Sequence, residues 1–208
     1  MKQPSCFREF ARYASLNVLG MIGLSCYILA DTYFISVGMG ADGLAALNLA
    51  IPVYSFINGS GLMVGMGGGT KYSIRRNQGE PEEADRAFSS SVLLAAGFAA
   101  VFVAAGLLLP GTLARLLGAD GTVFEMTRTY LQVLLLFSPM FLFNNLFLSF
   151  VRNDGAPQLA MAAMVVGSLS NVVLDYVFIF PLGLGIFGAA LATGVAPVIS
   201  MGILSSYR

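Results

Sequence analysis

The sequence has no histidine and only two cysteines, Cys6 and Cys26, among its 208 residues. Without an imidazole, a His-based metal site or catalytic triad is excluded, and proton chemistry must rest on carboxylates. The cysteines have neither metal-ligand spacing nor the pattern of a disulfide framework. Cys26, inside an apolar segment, is expected to be a small buried hydrophobe. Charge is scarce too: 11% of residues are Asp, Glu, Lys or Arg, against roughly 25% in an ordinary soluble domain. So few charges cannot cover a water-facing surface. The 11 basic residues balance 11 acidic ones, which leaves no electrostatic footprint for nucleic acid. No nucleophile beside a base, metal cluster or cofactor motif is present, so neither an enzyme nor a bound cofactor is expected.

What the chain does have is apolar length. Hydrophobic residues make up 57% and the mean hydropathy is +0.79. Six stretches reach the roughly 20 apolar residues that span a bilayer, at about 14–38, 45–70, 87–110, 123–150, 157–181 and 186–206. The first is not a signal peptide, because the apolar run continues with no small-residue cleavage pattern before Asp31. The expected fold is an all-α integral membrane bundle of six transmembrane helices, one domain over residues 1–208.

The breaks carry turn chemistry: Gly38 to Gly43, the charged run Arg75 to Arg86, Gly118 to Gly121, Arg152 to Gly155, and Pro181 to Gly183. Pro52, Pro110, Pro139 and Pro181 are expected to bend or end helices. Basic residues fix an orientation. Lys2, Arg8, Arg12, Lys71, Arg75, Arg76, Arg86, Arg152 and Arg208 fall on one side, Arg115 and Arg128 on the other. The positive-inside rule then places both termini in the cytoplasm. Gly61, Gly65 and Gly69 share one face of the second helix, where a neighbour can approach closely. The run Gly65 to Lys71 fails the phosphate-loop pattern, since Lys71 follows Thr70 and no strand precedes it.

Two acidic residues lie within the spans rather than in breaks or flanks: Asp31 and Asp175. An ionised side chain in hydrocarbon costs several kcal/mol, so such residues usually face a bundle interior or a wet cavity. Counting along the helices puts both about 25–27 Å from the inner face, in the outer part of the membrane. Asn171 is one turn from Asp175 on the same face, and Thr193 and Tyr130 reach a similar depth. Singly, each has a plainer reading: an aspartate snorkelling to the interface, an asparagine joining helices, a threonine bonding its own helix, a tyrosine in the interfacial belt. Together they form one layer of oxygen ligands without an evident fixed counter-charge, although Arg128 could approach from the rim. A carboxylate away from water resists ionisation, and a second beside it adds to that resistance. Such a pair suits an exchanger, which must hold either a coupling cation or a cargo cation.

Several stretches, in order, resemble the multidrug and toxic compound extrusion (MATE) family. They are Ala30-Asp31-Thr32-Tyr33-Phe34-Ile35, Leu44 through Pro52, Leu117-Gly118-Ala119-Asp120, Arg152-Asn153-Asp154-Gly155, Asn171 through Asp175, and Gly188 through Thr193. The resemblance covers nearly the whole chain and implies the N-terminal lobe of a two-lobed efflux antiporter. Such a transporter sits in the bacterial inner membrane, among lipid, and expels amphipathic organic cations in exchange for H⁺ or Na⁺. It also implies coupling roles for Asp31, Asn171, Asp175, Thr193 and Tyr130, with Na⁺ held by the first four. Two departures stand out. The proline that many members carry early in helix one is absent from Ser15 to Gly20, and six helices are half the usual number. The partner is then a C-terminal lobe or a second copy of this chain. Two other readings are a lipid-linked saccharide flippase, which would need cationic residues deep in its cavity, and a structural membrane module without transport.

Overall fold

The computed structural model describes residues 6–207. Lys2 and Arg208 lie outside the described residues, as do the side chains of Cys6, Arg8 and Arg12. The chain is a bundle of helices in the order α1 Cys6–Asn77, α2 Pro81–Leu108, α3 Pro110–Leu116, α4 Gly121–Leu136, α5 Ser138–Asn153, α6 Pro157–Ile179 and α7 Gly185–Leu204. Among the described residues, four helices are long and apolar enough to cross a membrane: Ala14–Asn77 within α1, then α2, α6 and α7. The pair α4 and α5, bent by 48°, makes a fifth if taken as one span.

The expected break between the first two helices, Gly38 to Gly43, is a single residue rather than a loop. Helix runs through it, and only Gly40 leaves helical geometry, at φ 65° and ψ −152°. That conformation is essentially restricted to glycine. One such residue suffices to reverse the chain. The Tyr27 and Tyr54 hydroxyl oxygens are 2.6 Å apart across 27 residues, a separation of about 40 Å along one straight helix. The two arms of α1 therefore lie side by side. Pro52, expected to bend or end its helix, sits inside the second arm without interrupting it.

The expected 123–150 helix is two. Phe137 leaves helical geometry (φ −87°, ψ 2°) just before Ser138 and Pro139. Proline has no N–H to donate and its ring crowds the carbonyl one turn back. The ring of Phe137 packs on Gly194 of α7, where an added Cβ would come within 2.6 Å of it. Pro110 begins the short helix α3 rather than closing a span, and α2 starts at Pro81, earlier than the expected 87.

Packing is that of a protein dissolved in lipid. α2 buries small residues in a stripe, Ala84, Ala87, Ser91, Ala95 and Ala99, and exposes Leu93 and Leu108. Without water to drive helices together, small residues allow the close approach that dispersion needs. Gly61, Gly65 and Gly69 lie against α5: an added Cβ on Gly65 would fall 2.9 Å from the Asn145 carbonyl oxygen and 3.1 Å from Leu146 Cα. Cys26 corrects the expectation of burial, since it is exposed. It shares a helical face with exposed Ile22, Leu29 and Tyr33, so in this fold an apolar run faces outward as readily as inward.

Candidate functional site

Asp31 and Asp175 are reached from different elements, the first arm of α1 and the last turns of α6, which pack on one another. Both side chains are buried, Asp31 at 6% exposure and Asp175 at 0%, so neither snorkels to an interface. Each carboxylate lies within electrostatic reach of the other. Tyr130, from α4, senses both and lies beside Thr193 of α7. Arms and helices that are remote in sequence thus deliver these oxygens to one interior layer.

Asn171 joins the layer to α7. With its amide oriented as its neighbours require, its NH₂ donates to Asp175 Oδ2 at 3.0 Å and its oxygen accepts from the Thr193 backbone N–H at 3.2 Å. Thr193 Oγ1 donates to the Ala189 carbonyl at 3.1 Å, the back-bond that threonine commonly makes in helices. One oxygen of each carboxylate, Asp31 Oδ1 and Asp175 Oδ1, has no hydrogen-bond partner although buried. Among the described residues neither aspartate pairs with a Lys or Arg. Arg128, which could have approached from the rim, is paired with Glu125 at 3.4 Å.

Sequence reasoning missed a second polar file that begins at this layer. Tyr27, one turn before Asp31, meets Tyr54 on the second arm of α1, and both tyrosines lie within electrostatic reach of Asp31. Asn58, one turn after Tyr54, accepts from Asn145 Nδ2 of α5 at 3.0 Å, and Ser149 Oγ donates to the Asn145 carbonyl at 2.8 Å. The spacing of four between Tyr27 and Asp31, and between Tyr54 and Asn58, was the available signal. What joins the two pairs is the reversal at Gly40, inside the expected Gly38 to Gly43 break; the spacing does not say which side chains that reversal brings together. Among the described residues, no three or more His, Cys, Asp or Glu side chains gather as a metal site.

Comparison with known proteins agrees with this architecture. Residues 18–177 match the model of the family described as MatE. The chain is 27% identical over 201 residues to the multidrug export protein MepA of Staphylococcus saprophyticus, covering 96% of this chain and 44% of that protein. It is 29% identical over 194 residues to MepA of Staphylococcus aureus MSSA476, covering 92% and 43%. Among solved structures, a MOP superfamily transporter from Pyrococcus furiosus superposes with TM-score 0.86 at 34% identity, over 93% of this chain and 43% of that one. An inward-facing multidrug resistance MATE family transporter gives TM-score 0.82 at 33% identity, over 87% and 41%. The chain thus spans less than half the length of the relatives that it matches. It belongs to the MatE family, a family of membrane transporters rather than enzymes, and its fold is that of one lobe of the larger family fold.

Proposed function

We propose that this chain is the cation-coupling lobe of a secondary antiporter that exports amphipathic organic cations in exchange for H⁺ or Na⁺. The observation that carries the reading is the buried carboxylate pair, with one unpartnered oxygen on each side chain and no fixed positive neighbour among the described residues. Two such groups in a low-dielectric interior are not stable as bare anions. A proton or a cation must accompany them, and release of that companion can be tied to a change of shape. Asp31 and Asp175 take up the coupling ion; Asn171 holds Asp175 and links it to Thr193; Tyr130 stands within electrostatic reach of both aspartates. For Na⁺ the ligands would come from Asp31, Asn171, Asp175 and Thr193.

The chain is one lobe with six crossings, because the reversal at Gly40 divides α1 into two spans and α4 with α5 forms another. Lys71, Arg75, Arg76, Arg86 and Arg152 then mark the cytoplasmic side, with both termini there. Cargo binds between this lobe and a second one, either a C-terminal lobe or another copy. The Pyrococcus furiosus relative is described as having a binding pocket of reversed polarity, so the sign of the cargo's charge is tested, not assumed.

The test is exchange in liposomes by this chain with a second lobe supplied, using ethidium as cargo under a proton or a sodium gradient. Asp31→Asn and Asp175→Asn are each expected to reduce gradient-driven ethidium movement to the level of empty liposomes. Unaltered exchange in either variant refutes the coupling role. Preference for an organic anion over ethidium refutes the cargo class.

A further inference from the structure

A cavity of about 390 Å³ opens at the opposite end of the bundle from the carboxylate layer. The second arm of α1, the start of α2, the end of α5 and the end of α7 converge on it. Tyr72 at its wall is 18 residues beyond Tyr54 on the same arm, about 27 Å along the helix, so the two sites are separate.

The lining has a definite chemistry. Tyr72, Phe88, Phe147, Phe150 and Tyr207 give it an aromatic wall. Phe150 holds the wall together, stacked at a tilt on Tyr72 (centroids 5.4 Å) and edge-on with Phe88 (5.1 Å). Two carboxylates face the cavity, Asp85 and Asp154. Asp154 is already neutralised: Arg76 Nη1 donates to both of its oxygens, at 2.6 and 2.8 Å, and the Tyr207 hydroxyl donates to Oδ2 at 2.7 Å. Asp85 has no hydrogen bond or ion pair among the described residues, since the neighbouring Arg86 is turned to Glu83 at 2.7 Å. The wall already carries one cation, because the Arg76 guanidinium carbon stands 5.7 Å from the Tyr72 ring centroid.

We propose that this cavity is a second binding site, for a compact organic cation whose apolar body lies on the aromatic wall and whose charge faces Asp85. Aromatic faces attract cations through the ring quadrupole, more strongly where water is excluded. Asp85 is unpaired among the described residues and exposed at the rim, so it favours positive over negative guests while solvent screens part of its charge. The volume falls in the range of small-ligand pockets, roughly 300–1,000 Å³. The site does not depend on the coupling role of Asp31 and Asp175, and its test separates the two.

The experiment is equilibrium dialysis of tetraphenylphosphonium against the purified chain in detergent, with tetraphenylborate as the anion of nearly the same shape. The cation is expected to bind and the anion not. Asp85→Asn and Phe88→Ala should each weaken the cation by about tenfold, Asp85→Glu should restore it, and Asp31→Asn/Asp175→Asn should leave this binding in place. Equal binding of the anion, unchanged affinity in Asp85→Asn, or no binding by the unaltered chain overturns the proposal. Loss of binding only in the Asp31→Asn/Asp175→Asn variant overturns it as well, by placing the cation in the carboxylate layer. Displacement of the bound cation by phosphatidylcholine at low mole fraction also overturns it, assigning the cavity to a lipid headgroup.

Discussion

Asn171 shows how much one side chain holds together in this interior. Its amide serves a buried carboxylate on its own helix and a backbone N–H on the next one, so deleting it leaves both without that partner. A hydrogen bond to a charged or partly charged group contributes about 1.5–3 kcal/mol, and a buried group left without its partner adds its desolvation penalty. Asn171→Ala is therefore expected to destabilise the purified protein by about 1–3 kcal/mol in thermal unfolding. Val173→Ala, on the exposed face of the same helix, should change stability by no more than about 0.5 kcal/mol. Equal effects would show that Asn171 is packing and not a link. Tyr207, beyond the last span, illustrates the same rule at the water-facing end. Its hydrogen bond to Asp154 raises the phenol above its ordinary value, with burial adding to the effect. That contact is complete below the usual phenol range, about pH 10, and is lost as pH rises through the raised value.

At the scale of elements, two glycines with opposite reasons for being glycine give a clean comparison. Gly40 has open space around its missing Cβ but a backbone that only glycine adopts comfortably. Gly65 is ordinary helix, but its missing Cβ would meet the backbone of α5. Gly40→Ala should cost about 1–3 kcal/mol through backbone strain alone. Gly65→Leu should cost about as much or more by overpacking, which forces α1 and α5 apart. A second-site Ser149→Ala removes the hydroxyl oxygen that an added Cβ on Gly65 would meet at 2.8 Å, so it gives Gly65→Leu some room and should recover part of its stability. It should do nothing for Gly40→Ala. Thermal unfolding of the four variants measures both, and rescue of Gly40→Ala would contradict the strain argument. Elements were partly legible beforehand. The Gly-x-x-x-Gly spacing announced a close helix contact, and the apolar runs announced spans. The break at Phe137 was announced only by Pro139, expected to bend or end its helix; hydropathy, blind to a missing N–H, runs straight through it.

The whole molecule presents a large apolar surface, with Leu29, Leu93, Leu108 and Leu116 among its exposed side chains. Most of such a surface suits lipid. A lobe of a two-lobed transporter must also give part of it to its partner, and the proposed function needs that partner to enclose cargo. Alone in liposomes, the chain is expected to insert but to exchange ethidium no faster than empty vesicles. Supplied with a second lobe, or crosslinked as a pair of copies through the exposed Cys26, it should gain gradient-driven exchange at least about tenfold above that background. Full activity by an isolated single lobe in a dilute, uncrosslinked sample would show that no second lobe is needed.

The sequence by itself determined the solvent of this protein and the candidates for its chemistry. Scarce charge and long apolar runs can be satisfied only in a bilayer, and an aspartate inside such a run stands out against hydrocarbon. Tertiary structure alone decided what those aspartates meet. The reversal at a single glycine brings Tyr27 to Tyr54, and the packing of α6 on α1 brings Asp175 to Asp31. Likewise, the aromatic cavity exists only where four helix ends converge. Hydrophobicity and spacing are local properties that a chain carries in its order of residues; proximity across helices depends on angles and turns, and a single residue's dihedrals can set them.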